Sequence, residues 1–127
     1  MSKIIFDASA ILAILHNERG ADIAEKYLPH AVLSTVNLSE VVSVLVDIGM
    51  PISDAENLIR SLIKEIIPFD EQQAFKTGSL RKNTKKHGLS LGDRACLSLA
   101  KLKNLPVLTA DKAWSKLNQD FEVILIR

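Results

Sequence analysis

Residues Lys3 to His16 read Lys-Ile-Ile-Phe-Asp-Ala-Ser-Ala-Ile-Leu-Ala-Ile-Leu-His. Lys3-Ile-Ile-Phe6 is a short apolar strand, a single acid follows it, and the next segment is rich in Ala, Ile and Leu. No polar residue alternates along the strand, so both of its faces need cover, as in a parallel sheet clothed on two sides. The same order recurs downstream. Ala31-Val-Leu-Ser34 is a second apolar strand, Ile66 to Phe69 a third, Pro106-Val-Leu-Thr109 a fourth and Val123 to Ile126 a fifth.

Helical patterns fill the intervals. Arg19 to Leu28 reads as a helix stopped by Pro29. Val36 to Ile48 carries a wide apolar stripe and is ended by Gly49 and Pro51. Ser53-Asp-Ala-Glu56 has the spacing of a capping box, which predicts a helix running to about Glu65. With Asp70 as cap, Glu71 to about Lys86 reads as one polar helix ending in basic residues. Ser90-Leu-Gly-Asp93 opens a helix to Lys103, and Lys112 to Leu117 is a short one. Strands alternating with helices predict a three-layer α/β/α sandwich around a mostly parallel five-stranded sheet.

At 127 residues, 47% of them hydrophobic, the chain is expected to form one domain, residues 1–127, with a single buried core. The lone cysteine, Cys96, excludes an internal disulfide and a thiolate zinc site. No stretch of about 18 apolar residues occurs, and no basic run followed by an apolar one opens the chain, so a cytoplasmic domain without a membrane partner is expected. The net charge of +1 hides a gradient. Met1 to Phe75 holds five Lys/Arg against eleven Asp/Glu, a balance of −6, whereas Lys76 to Lys116 holds ten against two, a balance of +8. Such a basic stretch attracts phosphate, although complementary halves attracting each other within one fold would give the same pattern.

In open parallel sheets, sites form beyond the carboxyl ends of the strands. Asp7 follows the first strand, Glu40 lies early in the helix after the second, and Asp111 follows the fourth. Asp93 opens the helix leading into the fourth. Each acid has a plain structural reading: Asp7 and Asp111 as helix caps, Asp93 facing a helix dipole, Glu40 in solvent. Together, four carboxylates at one end of a sheet call for a cation, and hard oxygen donors without histidine suit Mg²⁺ or Mn²⁺. Ions of this kind serve in-line phosphoryl displacement by water.

Four segments carry a family resemblance: Ile4-Ile-Phe-Asp-Ala-Ser-Ala-Ile-Leu12, Asn37-Leu-Ser-Glu-Val41, Leu89-Ser-Leu-Gly-Asp-Arg-Ala-Cys-Leu97 and Val107-Leu-Thr-Ala-Asp-Lys-Ala-Trp114. In order and spacing they resemble the motifs of PIN-domain ribonucleases, and most of all the VapC toxins of toxin–antitoxin pairs. The resemblance implies endonucleolytic RNA cleavage by metal-activated water, with Mg²⁺ or Mn²⁺ held by Asp7, Glu40, Asp93 and Asp111. Asp7 and Asp93 would be the firmest ligands, Glu40 would orient or deprotonate the water, and Ser9 and Thr109 would be supporting hydroxyls. It also implies a homodimer and a small antitoxin whose tail crosses the site. Arg81, Lys82, Lys85, Lys86 and Arg94 are then candidates for tracking the RNA backbone.

Other readings fit less well. A phosphoryl-accepting receiver needs paired acids after its first strand, and Asp7 stands alone; a haloacid-dehalogenase-type phosphatase needs an acid where Ser9 stands. A PIN-like module that binds RNA or a partner without catalysis keeps the fold, as does a nuclease that processes RNA outside any toxin pair. The stretches Val36 to Ile48 and Asp54 to Ile67 hold apolar residues, among them Val42, Leu45, Val46, Leu58, Ile59, Leu62, Ile63 and Ile66. Either the sheet covers them all or some stay exposed as a dimer contact or antitoxin groove.

Overall fold

The computed structural model describes residues 2–117 and 120–127. Among these, five strands form one sheet in the order β3-β2-β1-β4-β5, with β1 at Ile4–Phe6, β2 at Ala31–Ser34, β3 at Glu65–Ile67, β4 at Val107–Thr109 and β5 at Val123–Leu125. Every pairing is parallel, with Ile5 opposite Val32 on one side and Val107 on the other. The "mostly parallel" sheet of the sequence is therefore wholly parallel. Strand order reverses between β1 and β4, so the crevice beyond their carboxyl ends is the natural place for a site.

Side-chain alternation divides the core. Ile4, Phe6, Ala31, Leu33 and Leu108 point into a layer formed by α1 (Ala8–Leu15), α2 (Ala21–Tyr27), α3 (Thr35–Asp47) and α4 (Ile52–Leu62). Ile5, Val32 and Val107 point the opposite way, onto Cys96, Leu97, Leu99 and Ala100 of α7 (Leu91–Lys103) and onto Trp114. This is the three-layer α/β arrangement expected. None of the described helices is long and apolar enough to cross a membrane.

Three helices differ from the sequence reading. The Ser53–Glu56 capping box does not form: α4 starts at Ile52 with Pro51 as cap, and the Pro51 carbonyl accepts from the amides of Asp54 and Ala55 at 3.0 Å each. Proline pre-sets the entry angle, which leaves Ser53 inside the first turn. Nor does α4 reach Glu65, which pairs as the first residue of β3. The long polar helix breaks into α5 (Glu71–Ser79), α6 (Arg81–Thr84) and a 3₁₀ turn at Lys85–His87. Hydroxyls loosen it, as Ser79 Oγ donates to the Lys76 carbonyl and Thr84 Oγ1 to that of Leu80, while Leu80 turns into the α7 core. The chain from Arg19 to Leu28 is helical over Ala21–Tyr27, and Pro29 lies within a 3₁₀ turn rather than beyond a helix end. Gly20 shows why this stretch starts late. Its φ is +96°, and a Cβ there would stand 2.6 Å from the Ile126 carbonyl oxygen.

Of the surplus apolar residues, Leu45, Ile59 and Ile63 are buried, Val42, Leu58, Leu62 and Ile66 are half-buried, and Val46 is exposed, with Ile48 and Ile52 also exposed around the α3–α4 turn.

Candidate active site

Asp7 is the hinge of the site. It caps α1, its Oδ1 accepting from the Ala10 amide at 2.9 Å. Ser9 Oγ lies 2.7 and 2.9 Å from its two oxygens, and Thr109 Oγ1 donates to Oδ2. The carboxylate is only 4% exposed. Burial raises its pKa from 3.8 to about 6; the hydroxyls of Thr109 and Ser9 and the Ala10 amide pull it down, and the nearby Asp93 charge adds to the rise. Desolvation wins because each hydrogen bond recovers only part of the lost hydration.

The partner hydroxyls are themselves fixed. Ser9 Oγ accepts from the Ala110 amide at 2.9 Å, and Thr109 Oγ1 accepts from the Asp111 amide at 3.0 Å. The loop after β4 is thereby tied to the start of α1. Asp111 Oδ1 accepts from the Ala113 amide at 3.0 Å and opens the 3₁₀ turn Lys112–Leu117, so its capping role holds, and it meets Asp7 through Thr109.

Asp93 sits in a capping box: Ser90 N–H donates to its Oδ2 at 2.9 Å, and its own amide donates to Ser90 Oγ at 3.1 Å. Glu40 is drawn toward this turn by Asn37, whose Nδ2 donates to Glu40 Oε1 at 2.7 Å and to the Gly92 carbonyl at 3.1 Å. The Glu40 carboxylate fills the space where a Cβ on residue 92 would stand, so a side chain there would have to displace Glu40 from its bond to Asn37. Asn37 is 1% exposed, and among the described residues its Oδ1 has no partner. Asn37 opens the Asn37–Val41 segment, but nothing in that segment alone marks it as a residue of the site, beyond an amide one helical turn before an acid, i to i+3 on one face.

Asp7, Asp93 and Glu40 share a neighbour. Cys96 is fully buried, and its thiol is held well above its ordinary pKa, first by burial and then by those three charges. The structure thus draws three acids into one electrostatic neighbourhood and links the fourth by hydrogen bonds. Among the described residues no three acid, histidine or cysteine side chains close around one ion position. The donor set is nonetheless carboxylate oxygen throughout, with a desolvated Asp7 beside Asp93, and it fits a hard divalent cation.

The basic candidates divide. Arg81, Lys82, Lys85 and Lys86 are exposed on α6 and the turn after it. Arg94 is half-buried instead, its Nη1 donating to the Thr77 carbonyl at 3.1 Å, which ties α7 to α5.

The family model described as "PIN domain" matches residues 4–119. No curated protein matches. Among solved structures, a toxin–antitoxin complex from Klebsiella pneumoniae superposes at a TM-score of 0.74 and 21% identity, covering 98% of both chains. DNA-bound VapBC from Salmonella typhimurium gives 0.75 and 16%, covering 100% of both, and FitAcB from Neisseria gonorrhoeae 0.71 and 22%, covering 97% of both. At such identities the likeness speaks for the fold. With the family model spanning all five strands but the last and all four acids, the chain belongs to the PIN-domain family.

Proposed function

We propose that the chain is a Mg²⁺- or Mn²⁺-dependent endoribonuclease and the toxin of a toxin–antitoxin pair. The observation that carries this reading is the buried Asp7 carboxylate, desolvated and set beside Asp93 with Glu40 near the same thiol. Capping accounts for Asp7 and Asp93 one at a time but does not require their charges to be crowded, and a bound cation would offset that repulsion. Asp7 and Asp93 would hold the ion, and Asp111 would complete the site through Thr109. Bound there, it supplies a Lewis acid that acidifies water and offsets charge on the phosphate. Glu40, fixed by Asn37, orients the attacking water and takes its proton. Ser9 and Thr109 keep both Asp7 oxygens aimed.

An apolar groove of about 220 Å³ between α3 and α4, lined by Leu38, Val42, Ile52, Ile59 and Ile66, suits the helix of an antitoxin. The exposed Val46 and Ile48 beside it suit a homodimer contact. The cytoplasm, where RNA is made and read, is the place of action. The test is cleavage of RNA by antitoxin-free protein with Mg²⁺, with Mn²⁺ and in excess EDTA. Activity in either metal, absent in EDTA and in Asp7→Asn and Asp93→Asn, is expected; equal cleavage in EDTA overturns the reading.

A further inference from the structure

The segment before α7 and the turn after β4 are some thirty residues apart in the chain, yet they face each other across a cleft of about 310 Å³. Lys82, Lys86 and His87 line one wall, and Lys116 and Asp120 the other. Lys82 and Lys86 are four residues apart, the spacing that puts both on one side of a helical turn. Among the described residues none of these three lysines is in an ion pair. Asp120 offsets one of the three lysine charges, and the net positive charge that is left attracts an anion.

Each wall is joined along the chain to a segment that carries one of the site acids, while Asp120 closes the far end, beside Lys101 at the end of α7. His87 runs through Gly88 and the buried Leu89 to Ser90, whose hydroxyl and amide frame Asp93. Lys116 stands on the turn that Asp111 opens, five residues on, on the order of 10 Å at the 3₁₀ rise. We propose that this cleft is a phosphate-backbone subsite for single-stranded RNA, with His87 and Lys116 added to Lys82 and Lys86 as its contacts. The inference rests on the nuclease reading and deepens it. The acidic centre repels a polyanion, and the cleft holds the strand beside it through charge-assisted hydrogen bonds to phosphate oxygens. Arg81 and Lys85 do not line the cleft. A protein partner is disfavoured because Leu117 is the one apolar side chain in the lining.

The test is binding of an end-labelled single-stranded oligoribonucleotide in EDTA, by fluorescence anisotropy, from about 50 to 300 mM salt. The double variant Lys86→Ala/Lys116→Ala changes two exposed side chains and should bind about tenfold or more weakly. Its salt slope should fall by about 1.4, the value for two lost phosphate contacts on a single strand. The control Lys26→Ala/Lys64→Ala, outside the cleft, should bind as wild type does. With metal, cleavage of long RNA by the cleft variant should lose kcat/KM, while hydrolysis of a phosphodiester too short to reach the cleft stays unchanged. Wild-type affinity and slope in the variant, with RNA still cleaved, overturn the subsite and leave the nuclease reading standing. An equal loss in the control pair overturns it as well. A wild-type chain that neither binds nor cuts RNA overturns both.

Discussion

Replacing Asp7 with Asn removes one titrating group from the centre of the site and leaves its shape. The Asn carbonyl can still accept from the Ala10 amide, and the Ser9 and Thr109 hydroxyls can turn to accept from its NH₂. In the folded metal-free chain Asp7 loses its proton near pH 6, and in the unfolded chain near 3.8. A folded pKa above the unfolded one means the native state binds the extra proton. The group's favourable contribution is complete below pH 3.8 and is lost as pH rises through about 6. At about 1.4 kcal/mol per pH unit, ionised Asp7 costs the fold about 3 kcal/mol at neutral pH relative to acid. Asp7→Asn escapes that cost. Denaturant unfolding of both proteins in EDTA, at steps between pH 4 and 7.5, should show the variant gaining on the wild type by about 2–3 kcal/mol. The difference between the two proteins cancels the titration of the acids that do not interact with Asp7. A gap that stays flat across this range, or closes as pH rises, refutes the account of a desolvated, uncompensated carboxylate. Saturating Mg²⁺ should then reverse the order at neutral pH, since only the wild type gains binding free energy.

Three further outcomes follow from the same contacts. Thr109→Val removes the strongest hydrogen bond lowering the Asp7 pKa, so the acid limb of the activity–pH profile should move to higher pH; an unmoved limb counts against Asp7 as the group that must be ionised. Asn37→Ala frees Glu40 from α7 and should cost about 1–2 kcal/mol in thermal unfolding, with a larger loss in kcat than in KM; a KM effect alone would make Asn37 a binding residue. Gly92→Ala should destabilise although alanine favours helix, by about 1–3 kcal/mol from overpacking against Glu40, measured by urea unfolding; a gain in stability would show the carboxylate free to move aside.

The strands were legible because a parallel sheet buried on two faces leaves little choice of residue. Ile4, Ile5 and Phe6 are each 0–1% exposed, and a run of that kind reads the same from sequence or structure. The Ser90–Asp93 capping box was legible for a local reason, since its bonds span three residues. The same pattern at Ser53–Glu56 misled, because Pro51 sets the helix start from outside the four-residue window. The break after Ser79 was hidden for the opposite reason: it answers to the burial of Leu80 against α7, a contact made by residues far along the chain. At the site, the acids announced themselves by position after strands, whereas Asn37 and Gly92 acquire meaning only through each other. One is an amide, the other a missing Cβ, and nothing local connects residues 55 apart.

Cys96 is packed between α7 and the sheet, feels the charges of Asp7, Asp93 and Glu40, is the only thiol in the chain, and has no surface of its own. A disulfide reagent added to the native protein therefore meets no target until α7 lifts from the sheet. The rate of colour release becomes a clock for that opening, set by how often the helix carrying Asp93 leaves its bed. No label has to be engineered and no cysteine removed. Whatever stiffens the floor of the site should slow the clock, and whatever loosens it should speed the clock, long before the rest of the chain unfolds.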